Sequence, residues 1–90
     1  MSKKWVFYYS KTFNNGINSL DKSVQKRIKK WIDSHLVNAN EPRDYGKPLV
    51  GNLKGYWRYR IGDYRLLAKI EDNKLIIIMV NIGHRRKVYK

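Results

Sequence analysis

The chain has no cysteine, only two prolines and two histidines, and seven acidic residues against twenty lysines and arginines. Each shortage removes a class of protein. Without cysteine there is neither a disulfide framework nor a thiolate metal site, and His35 and His84 lie too far apart in sequence to form a metal-ligand spacing. The expectation is therefore a protein without metal or cofactor. No apolar run is long enough to span a bilayer, and Lys3 and Lys4 lead within a few positions to Tyr8-Tyr9-Ser10-Lys11 rather than to an apolar signal core. These absences predict a cytoplasmic protein with no membrane association. Ninety residues predict one domain, 1–90, able to bury about two-thirds of the surface of its unfolded chain around a single modest core.

Positive charge is present in excess, at a formal net +13. Such a chain repels itself when folded and attracts nucleic acid, an anionic membrane surface or an acidic protein. An aromatic content of 13%, with seven tyrosines, favours nucleic acid, because bases stack on exposed rings. The same rings are equally suited to a core.

Residues 55–82 organise the rest. Three runs rich in aromatic and β-branched residues are separated by Gly62-Asp63 and Asp72-Asn73, dipeptides that tolerate the positive φ of two-residue hairpin loops, so the stretch reads as an antiparallel meander. Counting outward from Gly62-Asp63 sets Ile61 opposite Tyr64 and Arg60 opposite Arg65, with Arg58 on the same face as Arg60. Three guanidiniums then converge. Like charges directly opposite one another destabilise a sheet, and a bound polyanion would remove that penalty; solvated arginines on edge strands are the alternative. Trp57 and Tyr59 alternate with these arginines and should point into the core.

Upstream, residues 5–9 read as a first strand, with Ser10 or Thr12 capping a weak helix over 11–20 in which Phe13, Ile17 and Leu20 share a face. Asp21 reads as the N-cap of a second helix over 22–37, with Val24, Ile28, Trp31, Ile32, His35 and Leu36 on one stripe. Its Lys26, Lys29 and Lys30 face is either solvated or touches RNA phosphates without reading sequence. Residues 38–54 carry Pro42, Gly46, Pro48 and Gly51 without periodicity and read as a long surface connection. The last strand, 74–82, lacks alternation, as expected of a strand at the sheet centre covered on both faces. The expected fold is α+β in the order β-α-α-β-β-β, an N-terminal helical hairpin on a mostly antiparallel four-stranded sheet.

The end of the chain adds a resemblance. Gly83-His84-Arg85-Arg86-Lys87-Val88-Tyr89, Tyr64-Arg65-Leu66, and Leu53 followed by Gly55-Tyr56-Trp57-Arg58, in this order of elements, resemble the RelE/ParE superfamily of toxins in type II toxin-antitoxin pairs over nearly the whole chain. The C-terminal Gly-His-Arg-Arg and Val-Tyr look more like the RelE branch, ribosome-dependent endoribonucleases that cut mRNA in the ribosomal A site, than the ParE branch, which inhibits DNA gyrase. The resemblance implies the microbial RNase fold shared by barnase, EndoU, colicin E5 and RelE. It gives catalytic or phosphate-binding roles to Arg58, Arg60, Arg65, Arg85 and Tyr89, and suits Lys54, Arg86 and Lys87 to further RNA contacts. Arg58 and Arg60 stand where the best-known members have lysines, which leaves the general base open.

Cleavage by a 2′-hydroxyl needs that hydroxyl deprotonated, the phosphorane's charge stabilised and the 5′-oxygen protonated. Fixed cations around the phosphate do the second job without a metal, and arginine's bidentate fork suits it, but a pKa above about 12 makes arginine a poor base. Histidine, with an ordinary pKa near roughly 6.5, suits either proton step, which points to His84. The resemblance further implies a cognate antitoxin, and the charge suits one that is acidic and partly disordered when free. Operator DNA would be bound only through the antitoxin complex. Two other readings stay open: a ParE-like gyrase inhibitor, and a non-catalytic basic nucleic-acid-binding module acting in autoregulation.

Overall fold

Residues 5–37 and 41–84 are described by a computed structural model. The strands are β1 (Val6–Tyr9), β2 (Gly46–Pro48), β3 (Tyr56–Ile61), β4 (Tyr64–Glu71) and β5 (Ile76–His84), and the helices are α1 (Lys11–Asn18) and α2 (Lys22–Ile32). The strands form one sheet in the order β1-β5-β4-β3-β2, with β1 parallel to β5 and every other pairing antiparallel.

The β3–β4 hairpin has the register read from the sequence. Ile61 pairs with Tyr64 and Arg60 with Arg65, around Gly62 at φ 60°. The second hairpin differs. A 3₁₀ turn over Asp72–Lys74 followed by Leu75 at φ 52° replaces the expected two-residue loop, so pairing begins at Glu71 and Ile76. The last strand accordingly runs from Ile76 to His84 rather than over 74–82. It is interior, between β1 and β4, but β4 is the middle strand. Nor is β5 covered on both faces: Ile77, Met79 and Ile82 are buried, while Ile76, Ile78 and Val80 are half-buried.

The fifth strand, β2, corrects the four-stranded expectation. It lies in the segment read as an irregular connection, where Gly46 and Pro48 argued against a strand. A three-residue edge strand accommodates Pro48, because an edge leaves one row of backbone groups outside the ladder. The connection is also fastened. A 3₁₀ turn over Pro42–Tyr45 brings Arg43 to Glu41, to Asp72 and over the Trp57 ring at 5.7 Å, and Tyr59 donates its hydroxyl to the Pro42 carbonyl at 2.6 Å.

Both helices cover one face of the sheet. Ser10 caps α1, its Oγ accepting from the Phe13 N–H at 3.0 Å, and Phe13 and Ile17 are buried. Gly16 lies so close to β5 that a Cβ there would sit 2.6 Å from the Ile82 carbonyl oxygen. On α2 the expected stripe is inward: Ile28 and Leu36 are fully buried and Ile32 nearly so, each such side chain contributing about 1.5–3 kcal/mol. Asp21 stands at the N-cap, yet its carboxylate makes no capping hydrogen bond. The helix continues past Ile32 as a wider π turn over Asp33–Val37. Tyr59 is fully buried as expected, and Trp57 is half-buried against the core.

Candidate nucleic-acid interface

Because side chains alternate across a strand, the helices on one face leave the other face open. Two rows of that open face are basic at one side. Lys47 of β2, Arg58 of β3, Leu67 of β4 and Asn81 of β5 form one row; Arg60, Arg65 and Gly83 form the next. Arg60 is exposed and Arg58 half-buried. Lys47 was not singled out from the sequence, since its segment gave no strand signal. Toward β1 the open face turns apolar, with Val6 and Tyr8 about half exposed beside Ile76 and Ile78.

Arg65 is only 8% exposed, so it does not extend into solvent with the other two guanidiniums as the converging patch required. Its Nη1 donates to the carbonyl oxygens of Gly62 at 3.1 Å and Tyr64 at 3.0 Å. The neighbouring position on β5 is Gly83, which has no side chain to compete for the space. The like-charge pair Arg60–Arg65 is thus relieved within the protein, by turning one guanidinium onto backbone carbonyls, and needs no bound polyanion to explain it.

His84 lies on the opposite face from these arginines. Leu67 pairs with Asn81 but Ala68 with Met79, so Val80 is an extra residue on β5, a β-bulge. One extra residue inverts every later side chain, which sends Ile82 into the core and His84 to the helix-bearing face opposite Tyr64. The two rings stand edge to face, centroids 6.1 Å apart at 79°. The bulge thus separates His84 from Arg65, which lies on the open face. The two rows are nevertheless adjacent, at the sheet end closed by the Gly62-Asp63 turn. Tyr64 is the partner that sequence reasoning missed, because periodicity carries no signal for a bulge.

Lys26, Lys29 and Lys30 are exposed on α2, on the far side of the sheet from Arg58 and Arg60, and Lys54 is exposed just before β3. Arg85, Arg86, Lys87 and Tyr89 lie outside the described residues. His35 stacks on Trp31 at 4.4 Å and meets Tyr45 edge-on at 4.8 Å, within the helix–loop packing rather than near the arginines. Burial pushes the Tyr59 phenol above its ordinary range, and the Asp72 hydrogen bond raises Arg43. Among the described residues no three or more His, Asp or Glu side chains come together as metal ligands, and no helix is long and apolar enough to cross a membrane.

An α+β sheet with one helix-covered face and one basic open face is the architecture of a known class of small toxins. The family profile described as the ParE toxin of type II toxin-antitoxin systems, parDE, matches residues 7–89. Toxin RelE3 of Methanocaldococcus jannaschii is 33% identical over 84 residues, spanning 90% of this chain and 91% of that protein. Toxin RelG of Mycobacterium tuberculosis is 36% identical over 52 residues, 58% of this chain and 60% of RelG, less than two thirds of that relative's length. The toxin-antitoxin complex RelBE2 from Mycobacterium tuberculosis contains a chain with a TM-score of 0.81 and 26% identity, covering 91% of this chain and 92% of that one. The chain belongs to the RelE/ParE family of type II toxin-antitoxin toxins.

Proposed function

We propose that this chain acts as a metal-independent, ribosome-dependent endoribonuclease that cuts mRNA in the ribosomal A site. The observation that carries the reading is the adjacency of two rows at one end of the sheet, Arg60 with Arg65 and Tyr64 with His84, so that a strand bent around the hairpin tip meets cations on one side and an imidazole on the other. Arg58 and Arg60 stabilise the charge that develops on the phosphorane, and Arg65 adds charge from its buried position while holding the tip. His84 moves a proton, taking it from the 2′-hydroxyl or giving it to the departing 5′-oxygen. The hydroxyl oxygen bonds to phosphorus as the 5′-oxygen bond breaks, leaving a 2′,3′-cyclic phosphate. Arg85 grips the scissile phosphate, and Tyr89 stacks on a base beside the cut or donates a proton. Lys54, Arg86 and Lys87 add phosphate contacts.

The chain works in the cytoplasm, where an acidic antitoxin, partly disordered when free, neutralises it and carries the operator-DNA contacts. The open face supports such a partner: apolar Val6 and Tyr8 lie beside the basic rows, which suits a segment with both apolar and acidic residues.

Primer extension on an mRNA in a translating extract tests the reading, run beside the same RNA without ribosomes. Cuts within codons only when ribosomes are present are expected. Intact mRNA in both, with folded protein, overturns it. Gyrase inhibition is the second reading, favoured by the ParE description of the matching family; loss of supercoiling activity by purified gyrase, with mRNA intact, would establish it.

A further inference from the structure

The position of His84 depends on one residue of slack in β5, and that slack is held by groups with no part in the proposed chemistry. If the pairing of Ala68 with Met79 continued without a bulge, Arg65 would face Ile82, and His84 would fall on the arginine face. The extra residue, Val80, prevents this. A bulge takes a residue out of the ladder, so its backbone needs other partners. Ser10 supplies one: its Oγ donates to the Val80 carbonyl at 2.6 Å while accepting from the Phe13 N–H, and its own N–H donates to the Met79 carbonyl at 2.9 Å. On the far side of Val80, the Asn81 Oδ1 accepts from the Ile82 N–H at 2.9 Å. The N-cap of α1 is thereby tied to the bulge, and α1 lies against the next turn of β5 through the close approach of Gly16 to Ile82.

We propose that Ser10 and Asn81 are positioning residues for His84, latching the Val80 bulge so that the imidazole faces Tyr64 and Gly83 faces Arg65. The catalytic part rests on the endoribonuclease reading; the structural part does not.

Paired substitutions separate latching from capping and folding. Ser10→Thr keeps a hydroxyl that both donates and accepts. Ser10→Asp keeps a good N-cap acceptor but cannot donate to the Val80 carbonyl. Asn81→Asp keeps the acceptor for the Ile82 N–H, and Asn81→Leu removes it. The readouts are the nuclear Overhauser contact between the His84 and Tyr64 rings and the pH profile of mRNA cleavage. Ser10→Thr should keep both, and Asn81→Asp should keep the ring contact. Ser10→Asp and Asn81→Leu should melt cooperatively yet lose the ring contact, change the pH profile of cleavage and cut its rate by about tenfold or more, as expected when a reacting group is displaced by about an ångström. A wild-type ring contact in both Ser10→Asp and Asn81→Leu overturns the proposal. Should one of these fail to fold, the other decides. If the unaltered chain cleaves no mRNA, the function reading falls while the ring contact still tests the latch.

Discussion

Tyr59 shows how much a single side chain does here. It is fully buried, meets Trp31 edge-on at 5.7 Å, donates to the Pro42 carbonyl at 2.6 Å, and lies so close to Gly46 that a Cβ there would be 2.8 Å from its ring. One residue thus joins β3, α2 and the loop that leads into β2. Burial raises its phenol above the ordinary value, so the hydroxyl stays protonated and the bond persists through the neutral range. A raised pKa of this sign gives stability that is complete below the unfolded value, near roughly 10, and is lost as pH rises beyond it. Tyr59→Phe should cost about 1–2 kcal/mol at neutral pH, because the buried carbonyl loses its donor. Above roughly pH 10 the gap between the two proteins should narrow by up to about 1.4 kcal/mol per pH unit, since only the unaltered chain has this phenol to ionise on unfolding. Urea melts of both proteins across that range check the size and the sign. A constant gap would mean that burial does not hold the proton.

Among the elements, the β3–β4 hairpin depends on Arg65 in a way its charge conceals. With its guanidinium on the Gly62 and Tyr64 carbonyls, Arg65→Ala leaves two backbone acceptors without that donor beside a turn at φ 60°. The expected cost is about 1–3 kcal/mol, with faster amide exchange over 61–65. Arg65→Lys should recover part of the stability and of the turn protection, because a single nitrogen, Nη1, bridges both oxygens and an ammonium keeps such a donor. If Arg65→Ala exchanges like the unaltered chain, the buried guanidinium is not what holds the tip. The hairpin itself was legible, because Gly62-Asp63 between two β-rich runs leaves one sensible register. The α2 stripe was legible for the same reason: a long periodic signal survives local exceptions. The elements that escaped have no periodicity to betray them. A three-residue edge strand is too short to alternate, Leu75 at φ 52° breaks the preference of its own side chain, and the Val80 bulge is set by Ser10 from seventy positions away. The candidate site was accordingly half legible: Arg58, Arg60, Arg65 and His84 were named, but the burial of Arg65 and the face of His84 follow from a curled guanidinium and a bulge that alternation does not encode, and Lys47 and Tyr64 were missed.

Across the molecule, whose net charge is +13, the described residues carry positive charge on both sides of the sheet, Lys47, Arg58 and Arg60 on the open face and Lys26, Lys29 and Lys30 on the outside of α2. Counterion release makes the division measurable, because each neutralised phosphate of a single strand steepens the dependence of log affinity on log salt by about 0.7. A short RNA oligonucleotide reaches only one side, whereas the ribosome of the proposed function would offer phosphates to both. Arg58→Ala and Arg60→Ala should therefore each flatten the oligonucleotide's salt slope by about 0.7, and replacing Lys26, Lys29 and Lys30 together by alanine should leave that slope unchanged while flattening the slope for ribosome binding. Fluorescence titrations at several salt concentrations distinguish the cases. If the lysine triple variant flattens the oligonucleotide slope as much as the arginine changes do, the two sides act as one diffuse positive field, and the open face has no special claim on RNA.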